Sequence, residues 1–202
     1  MSVNKSFNKI ELKNTSSSEE REAVLKPIYQ QVLERQPYQW ERRQYLQDLE
    51  KQFIKGKLGI RHFLKGLAVS PLYLQIFYEN SSNVKFIENA FKHFLGRSPH
   101  DENEIRACDQ ILATQGVKAM VSALIDSDEY RKLFGSFTVP YWQSDRTYDS
   151  PNDYLENQLL HKEHAGDRGW AVPTLYWHEL NLECKGNICR PKWHPSSRLR
   201  SE

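Results

Sequence analysis

No stretch of this 202-residue chain is apolar for long enough to cross a membrane. The opening residues, MSVNKSFNKIELKNTSSSEE, lack the apolar run of a secretory signal, and acids come too early for a transit peptide. Cysteine is scarce. Cys108, Cys184 and Cys189 are the three present, a count that fits a reducing cytosol. A strong charge of either sign is also missing: the net charge is +2, which gives no case for nucleic acid as a partner. Hydrophobic residues are only 39% and mean hydropathy is −0.73. A core is still affordable, alongside much polar surface or extended tail.

The motifs of catalysis are missing too. There is no glycine-rich phosphate loop, nucleophile elbow or paired acidic motif. Gly96-Arg97-Ser98 lacks the lysine and spacing of a phosphate loop, and His161-Lys162-Glu163-His164 lacks the spacing that puts two zinc ligands on one helical face. These absences argue against an enzyme. One alternative stays open: Cys184 and Cys189, with His178 and His194, as a small zinc site or an enzymatic tail. Another is a helical interaction module unrelated to the reading below. Cys108 falls on an apolar helical stripe and reads as a small core residue.

What the chain does have is helix. Residues 1–20 are polar and serine-rich and read as a flexible arm. From residue 21 to 142 apolar residues recur at helical spacing, as in Val24, Ile28 and Val32 or Leu46, Leu49 and Phe53. Ser70-Pro71 starts one helix and Asp101 with Glu104 resembles a capping box; Gly96 and Gly116 end others. The pattern predicts an all-α bundle of about seven or eight short helices. Residues 143–202 read as an extended tail with one short helix at PNDYLENQLLHKEH.

The block also repeats itself. SPLYLQIF from Ser70 and SDEYRKLF from Ser127 share serine, tyrosine and phenylalanine at matching places. The same offset pairs Gly59 with Gly116, Ile60 with Val117, Phe63 with Met120 and Leu67 with Leu124. Upstream, YQQVLERQP matches FKHFLGRSP, pairing Arg35 with Arg97 and Pro37 with Pro99. The repeated positions are apolar or capping residues, so the expectation is a duplicated packing unit. Tyr73, Phe77, Tyr130 and Phe134 are expected to be structural, as are Arg97 and Pro99, with Arg97 fixing a loop through backbone carbonyls. The aromatics beyond the block, Tyr141, Trp142, Tyr148, Trp170, Tyr176, Trp177 and Trp193, have no evident core to enter. They are expected to bind a partner.

Three blocks carry a family likeness: Phe94-Leu95-Gly96-Arg97-Ser98-Pro99, the run Ser127 to Gly135 (SDEYRKLFG), and Val139-Pro140-Tyr141. Over about residues 22–142 the chain resembles the phycobilisome linker family, and within it the repeats of the large core-membrane linker and the rod-core linkers. The resemblance implies a non-enzymatic scaffold that binds phycobiliprotein trimers or hexamers, allophycocyanin or phycocyanin, together with other linkers. It implies no covalently bound cofactor, contact at most with the bilins of partner discs, and no metal. It places the chain in the phycobilisome, peripheral on the cytoplasmic or plastid stromal face of the thylakoid. No counterpart of the family's bilin-bearing domain, of its small C-terminal module or of a membrane anchor is expected, and the tail after Gln143 matches no block of the family.

Overall fold

The structure, a computed structural model, describes residues 9–144, 147–148 and 150–164. It begins with α1 (Ser18–Val32), whose entry is set by a reciprocal cap. Ser17 Oγ accepts the Glu20 N–H at 3.1 Å, and Glu20 accepts the Ser17 N–H at 3.0 Å. After a reversal come α2 (Gln39–Glu41), the π-turn π1 (Arg42–Leu46) and α3 (Gln47–Ile54), which run on as one helix. Then follow α4 (Ile60–Ala68) and α5 (Pro71–Phe77). The second half consists of α6 (Asn83–Ala90) continued by π2 (Phe91–Leu95), then α7 (Glu102–Gln115), α8 (Val117–Ile125) and α9 (Asp128–Leu133). Finally α10 (Pro151–His164) matches the helix expected in the tail. With the continuous pieces joined there are nine helices and no sheet among the described residues, as the all-α reading expects.

The duplication is visible in the bonds as well as in the order of elements. α4 and α8 start 57 residues apart, at Ile60 and Val117, and pack against one another. Ser70 caps α5 by accepting the Tyr73 N–H at 3.3 Å and donates to the Leu67 carbonyl at 2.7 Å. Ser127 does the same for α9, accepting from Tyr130 at 3.1 Å and donating to Leu124 at 2.7 Å. One helical turn on, the Tyr73 and Phe77 rings lie 4.9 Å apart and those of Tyr130 and Phe134 lie 5.2 Å apart. All four are buried in a core drawn from both halves, with Ile28, Phe53, Phe63, Leu67, Phe94 and Val121. Burial of each such side chain is worth about 1.5–3 kcal/mol, so neither half has a reason to fold without the other.

The expectation of a flexible arm over residues 1–20 needs correction from residue 9 on. Leu12 N donates to Phe137 O at 2.9 Å and Val139 N to Ile10 O at 3.0 Å, with an antiparallel bridge between Glu11 and Thr138. Leu12 is buried, and Arg21 holds the carbonyls of Ser16 and Leu58. Ile10 and Leu12 bracket one glutamate, an alternation too short to mark a strand but enough to pair one edge. Residues 18–20 already belong to α1.

Gly96 is the most closely approached of the described glycines. It sits at φ 67° at the end of π2, a conformation that suits glycine. A Cβ there would fall on the carbonyl oxygen of Tyr141, while Gly96 O accepts the Gln143 N–H at 2.7 Å. Gly96→Ala is expected to cost about 3 kcal/mol or more, through backbone strain and overpacking together. Gly135→Ala, at φ 60° with open space around it, is expected to cost about 1 kcal/mol. Urea unfolding of both variants checks the order; equal losses would mean that the 96–141 contact carries no weight.

Candidate partner-binding surface

Each half turns the same corner between its first and second helices. In the first, Arg35 Nη1 donates to the Gln36 carbonyl at 3.1 Å, and its guanidinium grips both carboxylate oxygens of Glu41 at 2.6 and 2.7 Å. Glu41 in turn accepts the Tyr38 N–H at 2.7 Å. In the second, Arg97 Nη1 donates to the Ser98 carbonyl at 2.8 Å and grips Glu104 twice at 2.8 Å, and Glu104 accepts the His100 N–H at 2.7 Å. A planar fork meeting a carboxylate in this way fixes a loop more firmly than neutral bonds would. The second corner is reinforced: Glu129 takes two further bonds from Arg97 at 2.6 and 2.7 Å. Burial disfavours the Arg97 charge, but Glu129 and Glu104 outweigh it and hold the guanidinium charged. Arg97 is held mostly by carboxylates and not by carbonyls alone, and Pro99 beside it is buried.

The helix α10 lies over this second corner. Its buried stripe is Asp153, Glu156, Asn157, Leu160, Glu163 and His164, a helical spacing made almost wholly of polar residues. Asn157 accepts the Ser98 N–H at 3.0 Å, and Asp153 pairs with His100 at 3.3 Å. Further along, the Lys85 ammonium meets Glu163 at 2.7 Å and Glu88 at 3.5 Å. Lys92, fully buried, meets Glu34 at 2.6 Å and lies 3.7 Å from Glu163. His93 Nε2 is 3.1 Å from Glu34 and its Nδ1 is 2.9 Å from the Tyr73 hydroxyl. His164 Nδ1 closes the group, 3.8 Å from Glu34.

Burial dominates the electrostatics of this cluster. It lowers the Lys92 ammonium, with Glu34 opposing. It pushes the His93 imidazole down to about 3, against the hydrogen bond to Glu34. Burial alone would raise Glu34, yet the nearby His164 imidazole, the hydrogen bond from His93 and the charge of Lys92 hold its carboxyl well below the usual range. Glu34, His93 and His164 bring three ligand-type atoms within 4.8 Å of one another. The chemistry does not suit a metal, however. Lys92 already supplies a cation to the same carboxylate oxygen, and neutral His93 must turn its Nε2–H toward ionised Glu34 while Nδ1 accepts from Tyr73.

The residues expected to bind a partner separate into three groups. Trp142 is corrected: it is buried, its ring 4.8 Å from His161 and 6.5 Å from His164, because α10 supplies the cover the sequence did not reveal. Tyr141 is half-buried, 5.4 Å from Phe134, on an apolar groove formed with Ile10, Pro27, Val139 and Pro140. Tyr148 is half-buried too; its hydroxyl accepts from Asn157 at 3.0 Å and its ring meets Tyr154 at 5.1 Å. Trp170, Tyr176, Trp177 and Trp193, with Cys184 and Cys189, lie outside the described residues. The large apolar side chains exposed on the described surface are Tyr38 (63%), Trp40 (57%), Tyr154 and Leu155. Sequence reading missed Tyr38 and Trp40. The available signal was a tryptophan lying off the Leu46–Leu49–Phe53 stripe of its own helix.

The cluster predicts acid lability. A free imidazole takes its proton near pH 6.5, but His93 resists it until about 3. The unfolded chain therefore binds the proton first, and stability falls as pH drops below about 6.5, by up to about 1.4 kcal/mol per pH unit. Glu34, depressed in the folded state, adds its own loss below about 4.5. His93→Gln is expected to flatten the pH dependence between 6.5 and 5, read from urea midpoints at each pH. A slope equal to that of the parent would refute the assignment.

Comparison with known proteins gives this geometry a family. The model of the phycobilisome linker polypeptide family matches residues 16–143. The chain is 40% identical over 128 residues to phycobiliprotein ApcE of Microchaete diplosiphon, covering 63% of this chain and 12% of that one. It is 43% identical over 132 residues to ApcE of Galdieria sulphuraria, covering 64% of this chain and 15% of that one. With the phycobilisome rod-core linker polypeptide CpcG1 of Mastigocladus laminosus it shares 32% over 176 residues, 80% of this chain and 60% of the relative. The chain thus spans only part of each of these relatives. The matched region takes in both corners and the whole duplicated helical block, and the chain belongs to the phycobilisome linker polypeptide family, whose proteins are structural linkers and not enzymes.

Proposed function

We propose that this chain is a linker that binds allophycocyanin or phycocyanin discs, helps to assemble the phycobilisome at or near its core, and tunes energy transfer by contact with the partners' bilins. The observation that carries this reading is the family match over residues 16–143, which coincides with the duplicated block. A relative named as a rod-core linker, matched over 80% of this chain, supports it. The compact core with an exposed aromatic corner suits a body that is held between other proteins. On this reading the chain sits peripherally on the cytoplasmic or stromal face of the thylakoid, and no helix of the described residues is long and apolar enough to cross a membrane. The bilins, on this reading, belong to the partner discs; among the described residues the one cysteine, Cys108, is buried and its thiol is pushed up to about 11 by that burial, which suits packing and not attachment.

The test is co-sedimentation of the purified chain with allophycocyanin trimers and, separately, phycocyanin trimers, recording absorption and emission of each complex. A stable complex with a shifted band is expected with one of them. No complex with either, at low and high salt, would overturn the linker reading. Within that reading the tail tryptophans form part of the contact. Replacing Trp170, Trp177 and Trp193 together by alanine is expected to weaken the complex at least about tenfold; unchanged binding would remove the tail from the interface.

A further inference from the structure

The two corners share their internal bonds but differ in what covers them. In the second, α10 lies across the reversal. Asn157 takes the Ser98 N–H and Asp153 meets His100. Among the described residues no helix lies across the first corner. Gln36, the counterpart of Ser98, is exposed, and its N–H finds no partner among the described residues. Where the second corner continues with His100 and Glu102, the first continues with Tyr38 and Trp40, which are more than half exposed. Trp40 stands edge-on to Tyr45 at 6.3 Å, and the Arg35 guanidinium lies 5.0 Å over the Tyr38 ring. The aromatics are therefore held in place before anything binds, which lowers the entropy cost of using them.

The charge that this corner turns outward is mostly basic, with the exposed Glu22 of α1 near Arg42. Arg43 is exposed, and Arg35 and Arg42 keep 36% and 40% of their side chains in solvent. Their partners Glu41 and Glu50 keep 5% and 11%. The carboxylates point inward and the guanidinium edges outward. The covered corner shows what such a reversal receives: a helix whose first turns offer a carboxylate and an amide oxygen.

We infer that the Gln36–Trp40 corner is a docking site for a helix of a partner protein, one presenting acidic or amide oxygens in its first turns, in the way that α10 occupies the second corner. Resting on the linker reading above, the occupant is a helix of a phycobiliprotein subunit. Its acceptor meets the Gln36 N–H, its carboxylates face Arg35 and Arg43, and its apolar face packs on Tyr38 and Trp40. Tryptophan, tyrosine and arginine clustered in one patch are the residue types that dominate interface energetics, and an outward basic rim favours an acidic partner.

Tyr38→Ala/Trp40→Ala tests this on the full chain, since neither side chain supports the core. Binding to the disc that the parent chain co-sediments with is titrated for the parent, for this variant, and for Tyr154→Ala/Leu155→Ala as a second exposed apolar pair. The expected result is a loss of about tenfold or more in the first variant, with the second close to the parent. A photo-cross-linking residue placed at position 40 is expected to capture a subunit of the disc. Parent-like binding by Tyr38→Ala/Trp40→Ala, or an equal loss in both variants, would overturn the docking site and leave the linker reading standing. Absence of binding by the parent chain would overturn both.

Discussion

Two lysines decide how this molecule closes. Lys85 and Lys92 are buried, at 6% and 0% exposure, and an ammonium group removed from water is costly unless carboxylates surround it. The helical block supplies Glu88 and Glu34. Glu163 comes from α10 and lies within reach of both lysines. That shared carboxylate ties the last described helix to α6, to π2 and, through Glu34, to the end of α1. The helix is thus held by matched charges where most helices are held by apolar area. Such contacts are worth less in net stability than their number suggests, but they accept few alternatives. A shift of one residue along α10 would leave Glu163, Asn157 and Asp153 all facing the wrong partners.

The duplication explains why α10 could settle where it did. A repeated reversal closed by an Arg–Glu fork presents outward N–H groups that want an acceptor, and among the described residues α10 is a helix of the right chemistry. The two copies then diverged in opposite ways. The second gained Glu129 on Arg97 and a covering helix, and its arginine became fully enclosed. The first kept a simpler fork and gained Tyr38 and Trp40 on its surface. One corner is part of the protein's own packing, while the other is left uncovered by the described helices.

Much of the fold could be read from the residues because it obeys apolar periodicity. Ser70 and Ser127 marked their caps, Gly96 and Gly116 their ends, and the offset between halves exposed the repeat. Periodicity also placed Tyr73, Phe77, Tyr130 and Phe134 in the core. What escaped were the features built from polar residues. The buried stripe of α10 has helical spacing, but its members are Asp153, Glu156, Asn157 and Glu163, which a search for apolar faces assigns to solvent. Trp142 was misread for the same reason, since its cover comes from that stripe's helix. Arg97 drew attention through its motif, yet Glu129 lies 32 residues away and had a sufficient local explanation as an acid at a helix start. The short pairing of Ile10 and Leu12 with Phe137 and Val139 depends on two segments far apart in sequence that together make a single bridge.

These exceptions bear on function. A catalytic protein would hide its polar exceptions in a cleft, converging on a substrate. Here the buried charges converge on one another, carboxylates facing ammonium, guanidinium or imidazole groups of the same chain, and the large aromatics Tyr38 and Trp40 are left on the outside. Rigid helices whose buried charges are paired transmit position and do little else. Lys92 paired with Glu34, Arg97 between Glu104 and Glu129, and Arg42 on Glu50 all fix geometry at points where the backbone reverses or a helix docks. A scaffold needs that fixity because the distance it sets between its partners is its product. Any softness at the corners would appear directly as uncertainty in that distance, so the charges of this chain are placed where its helices turn.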